Sequence, residues 1–68
     1  MLAPIAMVRE VTEQLSGEFA ATLPRAVVAA EVATAERELR GRVPAGSVAE
    51  LLHRLVLCRL RQRVQGAP

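Results

Sequence analysis

The chain contains a single cysteine, Cys58, and this limits how so short a chain can be stabilised. It has 68 residues, and a domain of that size folding alone buries only about 60% of its unfolded surface. Small domains often gain stability from disulfides, a metal or a partner subunit. One cysteine excludes an internal disulfide, and His53 is the only other soft metal ligand, so we expect no metal site. Association with another chain is the means of stabilisation that is left.

The composition favours helices. Every basic residue is arginine and every acidic residue is glutamate, and both favour helix, as do the abundant alanine and leucine. Apolar residues make up 51% of the chain, which is too much for a disordered protein. No stretch reaches the roughly 18 apolar residues of a membrane span, and the apolar start of the chain lacks a basic leading region. We therefore expect no signal peptide, no membrane association and a cytoplasmic location.

Two breaks divide the chain into three predicted helices. The first break is Leu23-Pro24, because proline disfavours helical geometry in the preceding residue and suits a first turn, which Thr22 is placed to cap. The second break begins at Gly41, a residue type common just after a helix end. The helices are predicted at about residues 5–22, 24–40 and 48–64. The sequence thus predicts an all-α, three-helix bundle, one domain over 1–68, with frayed ends at 1–4 and 65–68.

A capping box is predicted at the start of the third helix. Ser47 and Glu50 have the required spacing, so that each side chain is able to accept a hydrogen bond from a free backbone amide of the first turn.

Apolar residues recurring at three- and four-residue steps indicate which face of each helix packs inside. The predicted core is Val11, Leu15, Phe19, Val28, Val32, Leu39, Leu52, Leu55 and Val56. The third helix carries a second apolar set, Leu57, Leu60 and Val64, on a side roughly opposite the first. One bundle covers only one stripe, so a second chain is expected to cover this set.

These observations predict a homodimer whose interface is formed largely by the third helix. His53 lies at the edge of the second apolar set, and a face of small residues on the second helix is placed to allow close approach of another helix. The same alanines are also explained by their helix propensity alone. The predicted interface residues are His53, Leu57, Leu60, Val64, Ala26 and Ala30.

Charge is divided unevenly along the chain, and the basic C-terminal part suggests nucleic-acid binding as an alternative function. Residues 1–40 carry four arginines and six glutamates, whereas residues 41–68 carry five arginines and one glutamate. Phosphate contact by a basic third helix is one interpretation, and it makes the chain a small nucleic-acid-binding regulator. The alternative is pairing with glutamates, for which Glu13, Glu18, Glu36 and Glu38 are candidates. The candidate phosphate-contacting residues are Arg54, Arg59, Arg61 and Arg63.

Nucleic-acid binding has less support than dimerisation. The loop after Gly41 is longer than a helix-turn-helix turn, and Gln62 is the only base-reading side chain on the basic helix. A third interpretation, an adaptor that binds a helix of another protein, also requires an exposed apolar face and stays open.

Catalysis is not expected. His53 and Cys58 are five residues apart on one helix, about 140° around its axis, so they do not reach the same atom. Cys58 is expected to be a small buried residue, and His53 a surface or interface side chain. The chain has no glycine-rich phosphate loop. The sequence therefore predicts no enzyme, with no catalytic, cofactor-binding or metal-binding residue and no cofactor.

A family resemblance supports the dimer. A first helix ends near Phe19, Leu23-Pro24 opens a helix rich in valine and alanine, and a Gly/Pro loop leads to Leu55-Val56-x-x-Arg59-x-Arg61-x-x-Val64. Over about residues 8–64 the chain resembles the small actinobacterial three-helix-bundle dimerization domain. That module occurs alone or ahead of low-molecular-weight tyrosine-phosphatase or arsenate-reductase-like catalytic domains. The resemblance implies a homodimer with a structural or assembly role and no catalytic residue. Leu57, Cys58 and Leu60 depart from the pattern, since more polar or smaller residues are expected there.

Overall fold

Three helices pack around one apolar core in the structure, a computed structural model that describes residues 3–66. They are α1 (Ala3–Glu18), α2 (Arg25–Leu39) and α3 (Val48–Gly66), and a single 3₁₀ turn, Ala45–Ser47, precedes α3. The prediction of an all-α, three-helix fold is confirmed. The molecule is elongated, with extents of 38 × 19 × 15 Å.

Part of the predicted frayed ends is helical in the structure. Residues 1, 2, 67 and 68 lie outside the described residues, while residues 3–4 belong to α1 and residues 65–66 to α3. No helix within residues 3–66 is both long and apolar enough to cross a membrane.

The junction between α1 and α2 differs from the prediction. α1 ends at Glu18, four residues early, and the chain then turns, with the backbone N–H groups of Thr22 and Leu23 donating to Phe19 O at 2.9 and 2.8 Å. Pro24 is the N-cap of α2, in extended geometry (φ −66°, ψ 150°), rather than part of its first turn. Thr22 does not cap α2, because its hydroxyl donates back to Phe19 O at 3.3 Å.

The end of α2 is a tight turn that requires glycine. Arg40 has φ −64° and ψ 125°, Gly41 has φ 85°, and Arg42 N–H donates to Leu39 O at 3.0 Å. These are the angles and the hydrogen bond of a type II turn, whose third residue has a positive φ that other residues adopt at a cost. The predicted role of Gly41 in ending the helix is confirmed.

The predicted capping box does not form. Ser47 ends the 3₁₀ turn, where its backbone N–H donates to Pro44 O at 2.9 Å, and α3 begins at the next residue. Within residues 3–66 the side chains of Ser47 and Glu50 make no hydrogen bond. In a capping box the Glu50 side chain would accept from the Ser47 N–H. Here that N–H already donates to the loop carbonyl of Pro44, so the 3₁₀ turn replaces the capping box.

The core is small and all three helices contribute to it. Its eight buried apolar side chains are Val11, Leu15, Val28, Val32, Ala35, Leu52, Val56 and Leu60. Six of the nine predicted core residues are among them, while Phe19, Leu39 and Leu55 are half-buried and pack against the core from its edge. The two additions that the core prediction missed are Ala35 and Leu60, neither of which has any exposed surface.

Two polar side chains are buried beside this core, and both have partners. Thr12 Oγ1 donates to Val8 O at 2.8 Å, within α1. Glu36 accepts from Arg40 Nε at 3.1 Å, one turn along α2. These two side chains are therefore satisfied locally, whereas the buried Ser16 Oγ has no hydrogen-bond partner among the described residues.

Two ion pairs define how α3 lies against α2. Arg59 Nη2 donates to Glu38 Oε1 at 2.6 Å, and Arg63 Nε donates to Glu31 Oε2 at 2.8 Å. The later arginine pairs with the earlier glutamate, so α2 and α3 are antiparallel. Because α1 and α2 also join through a short connection, α1 and α3 run in the same direction.

A third ion pair joins α1 to the start of α2. Arg25, in the first turn of α2, donates through Nη2 to Glu13 Oε2 at 2.6 Å. Val11 and Leu15 lie about 160° and 200° around the axis from Glu13, so Glu13 is on the outer face of α1, opposite the core.

Candidate protein interface

The α3 seam is the apolar face of α3 that the bundle leaves partly uncovered. It consists of His53 and Leu57, both half-buried, and Val64, which is 39% exposed. Val64 is the only large apolar side chain exposed among the residues whose side chains the structure describes. The three residues lie about 100–140° around the axis from the buried Leu52, which puts them on one strip of the helix.

Leu60 corrects the predicted interface. It was placed with Leu57 and Val64, but it is completely buried in the core of its own chain. The reason is angular, because Leu60 lies about 80° from Leu52 and continues the buried row of Leu52 and Val56 in steps of four residues. The second apolar set is therefore not opposite the first but next to it, and Leu60 has no surface left for a partner.

Two exposed arginines border the α3 seam. Arg54 and Arg61 are seven residues apart, lie on the same side of α3, and form no ion pair within the described residues. Glu50 is the acidic residue nearest to them on that side of the helix. The border of the α3 seam thus carries a small positive excess.

The other two arginines of the predicted phosphate-contacting set are already engaged. Arg59 and Arg63 are held by Glu38 and Glu31 of α2. The hydrogen bond between Arg59 and Glu38 lowers the pKa of the glutamate and raises the pKa of the arginine. The four arginines are therefore not a continuous basic surface, since two face α2 and two face outward.

Pairing with glutamate was the predicted alternative, and it is correct for Glu38. Glu13 and Glu36 instead pair with arginines of α2, and Glu31, which the sequence did not single out, takes Arg63. The hydrogen bond with Arg25 lowers the pKa of Glu13. Assigning these partners needs the rotation of each helix about its axis, which the sequence does not give.

The small-residue face of α2 is exposed but separate from the α3 seam. Ala26 and Ala30 are both exposed and lie on the side of α2 opposite the buried Val28. Ala30 also lines an open groove of about 600 Å³ between α2 and α3, together with Glu31, Thr34, Arg59, Gln62 and Arg63. Gln62 and the α3 seam are on opposite sides of α3, so one flat partner surface does not contact both predicted parts of the interface.

His53 and Cys58 do not form a site. Cys58 is exposed, which contradicts the expectation that it is buried, because it lies on the outer side of α3 away from the buried row. His53 lies on the α3 seam, about 140° away around the axis. Within residues 3–66 no group of three or more His, Cys, Asp or Glu side chains is arranged to hold a metal ion.

An acidic row on α1 completes this side of the bundle, and the sequence analysis missed it. Glu10, Gln14 and Glu18 are four residues apart and all exposed, and we call them the acidic ridge. Around the axis of α1 they lie about 60°, 100° and 140° from Glu13, just before the buried Val11 at about 160°. On α3 the neighbour α2 is met at lower angles than the buried row, at Arg59 and Arg63, so in the parallel α1 the neighbour at lower angles than its own buried row is α3. Their four-residue spacing was the available signal.

Comparison of the chain with protein-family models, with curated proteins and with solved structures gives no match. The resemblance to a dimerization domain therefore stays a prediction, and the functional assignment depends on the geometry of the chain.

Proposed function

We propose that this chain is a non-catalytic dimerisation module, in which two copies associate through the α3 seam. The observation that carries the proposal is the continuous strip of His53, Leu57 and Val64, which the chain's own helices leave partly open. These three residues follow steps of four and seven residues. That spacing is typical of helices that pair side by side.

The large accessible surface and the small core of the chain support association with a second copy. Its accessible surface is 4732 Å², whereas a compact monomer of 7.3 kDa exposes about 4,200 Å². Among the side chains that the structure describes, eight apolar ones are buried in the core. A chain with this much surface and so small a core gains stability when apolar area is buried against a second copy.

The nucleic-acid alternative is less well supported by the same geometry. Arg59 and Arg63 would have to leave Glu38 and Glu31 to contact phosphates, and only Arg54 and Arg61 of the set are unengaged within the described residues. Two arginines amount to a weak electrostatic attraction to a duplex.

Substitution of Leu57 tests the proposal. Sedimentation of the wild-type chain at about 100 μM is expected to give a dimer, twice 7.3 kDa, and Leu57→Glu is expected to give a monomer that remains helical. A carboxylate at this half-buried position remains hydrated in the monomer but is desolvated in the dimer. Gln62→Glu is the matched control, since it adds the same charge to the opposite side of α3.

A wild-type chain that is folded and monomeric at that concentration would contradict the proposal. A dimer that survives Leu57→Glu as well as it survives Gln62→Glu would move the interface away from the α3 seam. A salt-dependent shift with duplex DNA, abolished by Arg54→Gln/Arg61→Gln, would favour the nucleic-acid alternative instead.

A further inference from the structure

We infer that, in the dimer formed through the α3 seam, the acidic ridge of each chain pairs with Arg54 and Arg61 of the second copy, so that α1 of each chain lies beside α3 of the other. This inference rests on the proposed dimerisation and names the partner surface. Its basis is charge complementarity between two exposed rows that the fold sets side by side. One row is the acidic ridge, Glu10, Gln14 and Glu18, and the other is the pair Arg54 and Arg61.

The ion pairs in the described part of the chain do not include the glutamates of the acidic ridge or Arg54 and Arg61. Glu13, Glu31, Glu36 and Glu38 each hold an arginine, whereas Glu10 and Glu18 hold none within the described residues. The net charge of +2 therefore conceals an unpaired acidic row on α1 and an unpaired basic row on α3. Within residues 3–66 neither row forms an ion pair.

The two rows also match in spacing. Along a helix rising about 1.5 Å per residue, Glu10 and Glu18 are about 12 Å apart, and Arg54 and Arg61 are about 10.5 Å apart. The difference is within the reach of an arginine side chain. Two ion pairs per helix crossing, and four per dimer, are consistent with this spacing.

The heights of the rows in the bundle match as well. α1 and α3 run in the same direction and share one core, in which Val11 and Leu15 of α1 meet the buried row of α3. Glu10 lies one residue before Val11 and Arg54 two residues after Leu52, while Glu18 and Arg61 follow Leu15 and Leu60, the last buried residues of their helices. A two-fold axis along the helices keeps these heights, and so brings Glu10 to the partner's Arg54 and Glu18 to the partner's Arg61.

The orientation of the helices makes this face continuous. The acidic ridge lies on the side of α1 nearer α3, and the α3 seam lies on the side of α3 away from Gln62 and the α2 groove, which is the side nearer α1. The apolar strip is thus flanked by acids on one side and by arginines on the other. Turning a second copy by half a rotation puts unlike charges opposite each other.

Charge reversal with two complementary variants tests the inference. Arg54→Glu/Arg61→Glu makes both rows acidic, and Glu10→Arg/Glu18→Arg makes both rows basic. Each variant alone is expected to self-associate at least about tenfold more weakly than the wild type, because attraction becomes repulsion at four contacts. An equimolar mixture of the two is expected to recover wild-type affinity as a heterodimer.

The control is Arg37→Glu/Arg42→Glu, which makes the same change in net charge on the outer side of α2 and in the loop. It is expected to dimerise like the wild type. Circular dichroism of every variant establishes that it is folded, and Arg54→Gln/Arg61→Gln replaces the reversed pair if that pair unfolds. Its expected effect is a smaller loss of affinity and a weaker dependence on salt.

The outcomes separate the inference from the proposed function. If Leu57→Glu abolishes the dimer while both reversed variants behave like the control, the dimerisation stands and the inference is wrong. If each reversed variant dissociates and the mixture does not recover, the α3 seam has another partner surface and the inference is also wrong. A monomeric wild type would overturn both.

Discussion

Leu60 provides the sharpest test of the fold, because its position in the core was not predicted. Its side chain has no exposed surface, while Leu57, three residues earlier, is half-buried. We expect Leu60→Ala to reduce the free energy of unfolding strongly and Leu57→Ala to reduce it weakly. The comparison separates a residue that holds the chain together from one available to a partner.

The magnitude follows from the burial. Leucine to alanine removes about three methylene equivalents, worth about 0.8 kcal/mol each when fully buried, and the cavity left behind adds to this. The loss is therefore about 3 kcal/mol. A folded chain of this length has a free energy of unfolding of roughly 3–10 kcal/mol, so Leu60→Ala removes a large part of it.

Thermal unfolding by circular dichroism, at one fixed protein concentration, measures the effect. A loss of about 3 kcal/mol lowers the Tm of a small domain by about 12–24 °C. For Leu57→Ala we expect a loss of about 1 kcal/mol or less in the monomer, together with weaker self-association. If Leu60→Ala has a Tm within a few degrees of the wild type, Leu60 is not in the core and the rotation of α3 described above is wrong.

Two further predictions concern the turn and the ion pairs. Gly41→Ala is expected to destabilise the chain by about 1 kcal/mol in urea unfolding, since φ at that position is 85°, whereas Gly46→Ala, where φ is not positive and no atom is close, is expected to be neutral. The hydrogen bond from Arg59 lowers the pKa of Glu38 in the folded chain. At pH values above the ordinary pKa of glutamate the ionised Glu38 therefore stabilises the fold, and this stabilisation is lost as the pH falls through the lowered pKa. Between about pH 6 and about pH 3 the wild type is therefore expected to lose more stability than Glu38→Gln, while Glu50→Gln, at an exposed glutamate, is expected to follow the wild type. Equal losses for wild type and Glu38→Gln would mean that the pair has no effect on folding.

The sequence was sufficient for the number of helices and for most of the core. Pro24 and Gly41 are strong local signals, since one lacks an amide hydrogen and the other adopts a positive φ. Val28 and Val32, like Leu52 and Val56, repeat at helical spacing and are buried. These are local properties, which a single chain segment expresses whatever packs against it.

The candidate site was less predictable because it depends on how each helix is rotated. A row at four-residue steps drifts about 40° per step, so Leu52 and Leu60 are about 80° apart and still face one core. The sequence does not say which residues at the border of such a row are covered, and it therefore assigned Leu60 to the wrong set. Cys58 was misassigned for the same reason.

The pairs that join α2 to α3 also bear on the handedness of the bundle. A third helix has two ways to close over the first two, one on each side of their plane, and both bury similar apolar area. Glu31 and Glu38 meet Arg63 and Arg59 in the arrangement observed, whereas the opposite arrangement turns that side of α3 toward α1 and separates all four charges. Exposed pairs of this kind add only about 0–1 kcal/mol each to stability. Their larger consequence is topological, because they favour one hand of the fold over an alternative that the apolar residues alone barely distinguish.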